Sequence, residues 1–97
     1  MDRESHEAVV TAAWRRNARV CWRRSGLTAV LAVPDGDDVL VLEGTGALTW
    51  ELLAESRTTD ALVAELAEVF GVDREMVADQ LLPFLDELQA CGVIEAA

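Results

Sequence analysis

The spacing of apolar positions divides the chain into an extended half and a helical half. Around Val20 and Trp22, apolar and polar residues alternate with a period of two, which is typical of a β-strand. Residues 27–33 and 39–42 are short apolar runs separated by the turn sequence Pro-Asp-Gly-Asp-Asp, so the pattern predicts a three-stranded antiparallel meander. Residues 39–42 show no polar alternation, and we expect this strand to be covered on both faces.

After residue 43 the spacing of apolar residues becomes that of amphipathic helices. A Gly-Thr-Gly corner at residues 44–46 should turn the chain into a first helix, capped by Thr45 and ending near Ser56. A second helix is predicted up to Gly71, and a third over residues 73–92. The inward positions recur every three or four residues: Leu62, Leu66 and Phe70 in the second helix, and Val77, Leu81, Leu85 and Leu88 in the third.

Two stretches depart from this regular pattern. Pro83 lies inside the third helix, where it removes one backbone hydrogen bond, and we expect a kink rather than a break because the apolar spacing keeps its phase. Residues 1–16 are predicted to be an N-terminal extension, either helical or disordered, that Trp14 could attach to the domain. Residues 17–97 are then one domain of class α+β, with three antiparallel strands followed by three helices.

Composition limits the partners that this domain can bind. The net charge is −10, and residues 35–97 hold fifteen acids against two arginines, so binding of nucleic acid through the helices is disfavoured. No apolar run reaches the roughly 18 residues of a membrane span, and the polar start is unlike a secretory signal, so we expect a cytoplasmic protein without a membrane partner. Cys21 and Cys91 are too few for a zinc site and are interpreted as apolar core residues.

No motif in the sequence indicates catalysis. The Gly-x-Gly at residues 44–46 has neither a third glycine nor a nearby lysine, so it is interpreted as a turn and not as a phosphate loop. His6 has no partner for acid–base or metal chemistry, and the serines and threonines have no histidine to activate them. We therefore predict a protein that is not an enzyme and that needs no metal or cofactor.

The order of motifs resembles a known family. It runs from the strand 39–43 through the corner 44–47 and Trp-Glu-Leu-Leu at 50–53 to Phe-Gly-Val at 70–72 and the end of the third helix. This order over residues 18–95 is similar to that of the PqqD family, also called RiPP recognition elements, which bind leader segments of ribosomally made peptides. The corner departs from the family, because Glu43-Gly44 stands where Asn-Pro is usual.

The resemblance implies a winged helix-turn-helix-like fold and a non-catalytic peptide chaperone. In the family, an extended leader peptide adds itself as a strand beside the third strand, against the third helix, and is presented to a modifying enzyme, often of the radical S-adenosylmethionine type. Carried over to this chain, the peptide-binding residues are Val39, Leu40, Val41, Leu42, Glu43, Met76, Gln80, Pro83, Phe84 and Glu87.

Other interpretations stay open at this point. Residues 39–42 and Phe84 could simply be core, covered by the N-terminal segment. The order and spacing of the second and third helices also fit a winged-helix transcription regulator. Its recognition helix would carry one basic residue, Arg74, and five acidic residues, counting the one at its cap. A free strand edge can pair with a second copy to form a homodimer. The cluster of five arginines over residues 15–24 is either a solubilising surface or a docking site for an acidic partner.

Overall fold

The computed structural model describes residues 12–34, 36 and 38–97. They form, in chain order, β1 (Ala13–Arg16), β2 (Trp22–Ser25), β3 (Thr28–Ala32), β4 (Val39–Glu43), α1 (Thr45–Leu52), β5 (Arg57–Thr58), α2 (Thr59–Phe70), α3 (Arg74–Ala90) and β6 (Ile94–Ala96). Two antiparallel three-stranded sheets have the orders β2-β3-β4 and β5-β1-β6. The α+β class, the meander and the three helices are therefore confirmed, whereas the second sheet was not predicted.

The second sheet corrects the prediction for the N-terminal residues. Ala13–Arg16 were expected to be helical or disordered, but they form β1, which pairs with β5 on one side and β6 on the other. The indole Nε1 of Trp14 donates a hydrogen bond of 2.9 Å to Oγ1 of Thr59, so Trp14 does attach this strand to the start of α2. The prediction for residues 1–11 lies outside the described residues.

Several local boundaries also differ from prediction. The first strand of the meander begins at Trp22, several residues later than expected, and α1 ends at Leu52 rather than near Ser56. Gly44, not Thr45, is the N-cap of α1. Its φ of 55° lies in the left-handed region, which a glycine adopts without steric cost, so the corner is formed by backbone geometry and not by a side-chain cap.

The core lies between the meander and the three helices. The predicted inward positions of α3 are all buried, and Leu62 and Leu66 of α2 join them, with Trp50 of α1 at the centre. Phe70 was expected in the same row but is about half exposed. Cys21 is exposed rather than packed, whereas Cys91 packs partly against the core. Pro83 lies within a helix assigned without interruption from Arg74 to Ala90, so the helix is not broken.

Several arginines of the cluster contact other parts of the fold. Arg16 donates two hydrogen bonds to the carbonyl of Trp50, at 2.9 and 2.6 Å, and its guanidinium carbon lies 4.7 Å from the ring centroid of Trp22 and 4.6 Å from that of Trp50, two rings that meet edge to face. Burial lowers the pKa of Arg16, and the carboxylate of Glu51 opposes that shift. Arg15 pairs with Glu95 at 2.7 Å. Arg15, Arg19, Arg23 and Arg24 are exposed, whereas Arg16 is partly buried.

No helix in the described part of the chain combines the length and the apolar content that crossing a membrane would require.

Candidate functional site

The third strand of the meander, β4, lies at the edge of its sheet. Within residues 12–34, 36 and 38–97, its strand partner is β3, with Leu31 opposite Leu40 and Ala29 opposite Leu42. The N–H of Val33 donates to the carbonyl of Asp38 at 3.1 Å, which fixes the phase of the ladder. Hydrogen-bonded pairs alternate in an antiparallel ladder, so Leu40 and Leu42 exchange their bonds with β3.

The backbone groups of the other three residues of β4 consequently point away from β3. Val39, Val41 and Glu43 occupy the non-hydrogen-bonded positions, and their N–H and C=O groups are directed to the open edge. Such a row of unpaired groups is a template for another strand. The backbone of β4 thus offers three residues to an additional extended segment.

The side chains of β4 show that its burial was predicted wrongly. Leu42 is buried and Leu40 is partly buried, but Val39 and Val41 are 60% and 53% exposed. The strand is covered on one face, because the helices pack against the side that carries Leu42 and leave the opposite side to solvent. Exposed valines beside an open backbone edge enlarge the apolar surface that a bound segment would cover.

A cavity of about 490 Å³ opens beside this edge. It lies between β4, the corner that leads into α1, the end of α2 and the first three turns of α3. Of the residues predicted for the site, six line it: Val41, Leu42, Glu43, Met76, Gln80 and Phe84. The residues that line it without having been predicted are Thr45, Gly46, Leu66, Phe70, Val72, Val77 and Leu81.

The α3 wall of the cavity follows from helical spacing. Met76, Gln80 and Phe84 are four residues apart, so they lie on one side of the helix above one another. Met76 is 53% exposed, Gln80 is exposed and Phe84 is partly buried. The wall is therefore apolar at both ends with one amide between them.

Four predicted residues do not line this cavity. Val39 and Leu40 lie on β4 before the stretch that borders it, and Pro83 and Glu87 are exposed on α3 outside it. Val39 still belongs to the open backbone edge. Pro83 and Glu87 lie on another side of α3, because the residues that face β4, such as Met76 and Gln80, are spaced four apart.

One glycine sets the distance between the corner and α3. A Cβ placed on Gly46 would lie 3.1 Å from Cζ of Phe84 and 3.8 Å from Cβ of Leu42. That separation is shorter than ordinary van der Waals contact, so the Phe84 ring occupies space that a side chain at position 46 would need. Gly46 therefore allows Phe84 to close the inner end of the cavity.

Phe70 and Val72 are the main members that the sequence pattern missed. Phe70 continues the four-residue spacing of α2, which predicts burial, but it is the last residue of the helix and is 49% exposed. Gly71 then turns the backbone, and Val72 emerges beside the same cavity. The signal that could have found them is the Gly between two large apolar residues, because a helix end moves its last side chains away from the helix interface.

The polar groups around the cavity are few. Glu43, Thr45 and Gln80 are its polar side chains, and Glu43 is its charged one. In the part of the chain described here, no group of three or more histidines, cysteines or acids is arranged as a metal site. The arrangement can donate and accept main-chain hydrogen bonds and can bury apolar side chains.

Known structures show the same fold. The structure of TbiB1 in complex with the TbiA(beta) leader peptide has a TM-score of 0.77 and 23% identity, covering 84% of this chain and 94% of that one. The PqqD truncation of Methylobacterium extorquens PqqCD, described as a functional and stand-alone RiPP recognition element, has a TM-score of 0.69 and 20% identity, covering 86% and 88%.

Sequence comparison gives a family and no individual relative. None of the curated proteins matches the sequence. The model of the family described as Coenzyme PQQ synthesis protein D (PqqD) matches residues 28–94, well over half of the chain and including β4, the corner and α3. This chain belongs to the PqqD family.

Proposed function

We propose that this protein is a RiPP recognition element that binds the leader segment of a ribosomally made precursor peptide and presents it to a modifying enzyme. The observation that carries the proposal is the open edge of β4 beside an apolar cavity. The leader adds as a strand to that edge and places side chains against α3. The role is to bind the peptide, and chemistry on the precursor belongs to the partner enzyme.

Strand addition fits the chemistry of the edge. The outward backbone groups of Val39, Val41 and Glu43 supply hydrogen bonds that do not depend on the peptide's sequence. Alternate side chains of an added strand point to one face, so every second residue of the peptide faces the cavity. Main-chain pairing then gives affinity, and the cavity gives selectivity.

The cavity walls indicate the composition of the peptide. Phe70, Met76 and Phe84 favour apolar side chains, and the thioether of Met76 adapts to different shapes. Glu43 at the rim, with Asp38 exposed before β4, favours a peptide that carries positive charge nearby. We expect a leader with apolar residues at alternate positions and a basic residue beside them.

Both edges of the meander are open within the described residues, but they differ in what lies beside them. β2 occupies the opposite edge from β4. The 490 Å³ cavity is lined by Val41, Leu42 and Glu43 and by no residue of β2. β2 contributes Arg24 to a different and smaller cavity of about 370 Å³, whereas a strand on β4 places side chains directly in the larger one, so we assign the leader to β4.

The related structures support the binding of a leader peptide. TbiB1 is a protein of this fold in complex with a leader peptide, and the M. extorquens PqqD truncation is described as a recognition element in its own right. For this chain we place the function in the cytoplasm, where ribosomes make the precursor. Its partner is a modifying enzyme, for which the PqqD resemblance points to the radical S-adenosylmethionine class.

Transcription regulation, the alternative from sequence, gains no supporting observation. Its recognition helix would be α3, where Arg74 is the single basic residue and the exposed residues include Glu75, Asp79, Asp86 and Glu87. A helix of that charge repels the phosphates of DNA. A second copy pairing through β4 is a competitor for the same edge and would be displaced by the leader.

The test is a backbone-amide NMR titration with a synthetic peptide that carries the leader sequence of the precursor encoded beside this gene. We expect the amides of β4 and of the first three turns of α3 to shift, with the largest change at Val41. A DNA duplex serves as the control and should cause no shift. Changes confined to β2, or no saturable change with the leader, would overturn the proposal.

A further inference from the structure

A second cavity lies on the other side of the corner between β4 and α1. Its volume is about 370 Å³, and it opens between the turn that joins β2 to β3 and the outer side of α1. The apolar side chains that form it are Leu27, Ala29, Ala47, Leu48 and Phe70. None of the ten residues predicted to bind the peptide lines it, but Arg24 of the arginine cluster does.

The two cavities share a wall. Phe70, at the end of α2, lines both, and along the chain Glu43, Thr45 and Gly46 border the first cavity while Gly44 borders the second. An extended segment that pairs with β4 and continues past Glu43 runs toward the corner, and the second cavity lies on the other side of that corner. At about 3.3 Å per residue, four further residues cover about 13 Å.

Leu27 gives the second cavity an unusual degree of exposed apolar surface. It lies in the two-residue turn between β2 and β3, where turn residues are commonly polar, and 90% of it is exposed. Phe70 is 49% exposed beside it. Both side chains would be buried by one apolar group placed between them, which is the main source of affinity at such a site.

The charged residues of the second cavity cancel each other. Arg24 of β2 and Glu51 of α1 both line it, and their side chains form an ion pair. A paired rim offers little attraction to a charged ligand group, since each charge is already compensated. Apart from Thr28, the remaining side chains of the wall are apolar, so the cavity favours an uncharged apolar side chain.

We propose that the second cavity receives an apolar side chain of the leader, located about three to six residues beyond the stretch that pairs with β4, on the Glu43 side. This inference rests on the proposed function and adds a second anchoring point to it. The leader is then held at two places, by the edge of β4 and by the surface formed by Leu27 and Phe70. Recognition requires a longer leader than the β4 edge alone would need.

Leu27→Ser tests this inference, with Val69→Ser as a matched control. Val69 is exposed on α2 but lines neither cavity. Affinity is measured by isothermal titration calorimetry for the full leader and for versions shortened stepwise from either end. We expect Leu27→Ser to weaken the full leader about tenfold and Val69→Ser to leave it unchanged. Leaders shortened from the end that carries the residue for the second cavity should bind wild type and Leu27→Ser equally well, because that residue is missing.

NMR provides a second readout that does not depend on a variant. The full leader should shift the amides of Gly26 to Ala29 in the wild-type protein, and the leader shortened from the responsive end should not. Equal binding of every version to wild type and Leu27→Ser, with unmoved amides at the turn, overturns the second site. If Val41→Pro, which removes the outward N–H of β4, weakens binding in that case, the proposed function stands and the inference alone fails. If no version binds the wild type, the proposed function fails with it.

Discussion

Val41→Pro tests whether the open edge of β4 captures the peptide through its backbone. The N–H of Val41 points away from β3, so proline removes a donor that the sheet itself does not use. Loss of that hydrogen bond costs about 1 kcal/mol of binding free energy, and the peptide carbonyl that is left without a donor adds about 1–2 kcal/mol. The total of about 2–3 kcal/mol corresponds to binding that is about 30- to 150-fold weaker.

Stability should change far less than binding. Leu40 and Leu42 make the hydrogen bonds between β4 and β3, and Val41 is 53% exposed. The substitution therefore removes no hydrogen bond and little buried surface from the folded protein. We expect the free energy of unfolding to change less than the free energy of binding, because proline is tolerated where the N–H of an edge strand faces away from the sheet. Urea unfolding followed by circular dichroism measures this quantity, and anisotropy of a fluorescent leader measures affinity.

Val41→Ala is the matched control, because it shortens the same side chain and keeps the N–H. It should weaken binding only a few fold, through the lost contact of a half-exposed valine. The reasoning would be refuted if proline and alanine weakened binding to the same degree. An unchanged affinity in Val41→Pro would refute it more directly, since no backbone donor at that position could then take part.

Three further predictions concern two residues that line the first cavity and one residue that stabilises the fold. Met76→Gln should weaken leader binding about fivefold with unchanged stability, because the side chain is more exposed than buried in the free protein. Gly46→Ala should push the ring of Phe84 into the cavity and weaken binding about tenfold. The free energy of unfolding should change little, because the better helix propensity of alanine offsets the cost of the close contact. Arg16→Lys should lower the free energy of unfolding by about 1–2 kcal/mol, because lysine cannot bond the Trp50 carbonyl twice or replace the contacts of the planar guanidinium with the rings of Trp22 and Trp50.

Each of these three has a control and an outcome that counts against it. Met76→Leu keeps an apolar wall and should bind nearly as well as wild type, so equal losses in the Gln and Leu variants would contradict the apolar role. For Gly46→Ala, an unmoved Phe84 ring signal in NMR would contradict the close approach. Arg23→Lys, at an exposed position, should leave unfolding unchanged, and a matching loss there would show that the effect at Arg16 is not specific to its contacts.

The groove was only partly predictable from the sequence. The strand 39–43 and the row Met76, Gln80 and Phe84 follow from short-range spacing, and the row lines the cavity together with Val41, Leu42 and Glu43 of the strand. Phe70 was misjudged because periodicity cannot tell the last turn of a helix from its middle. The exposure of Leu27 could not be predicted, because an apolar residue in a turn is exposed or covered according to which other segments pack near it.

Short-range patterns were enough to predict the elements whose cause is local. The inward row of α3 is set by the 3.6-residue period, and the meander by alternation and turn chemistry, so both were confirmed. The second sheet, in which Trp14 lies opposite Ala96, is visible only in the folded chain. The folded chain also shows that, among the described residues, β4 has a strand partner on one side alone. Pairing between distant segments depends on which surfaces the core leaves uncovered, and no short-range pattern contains that information.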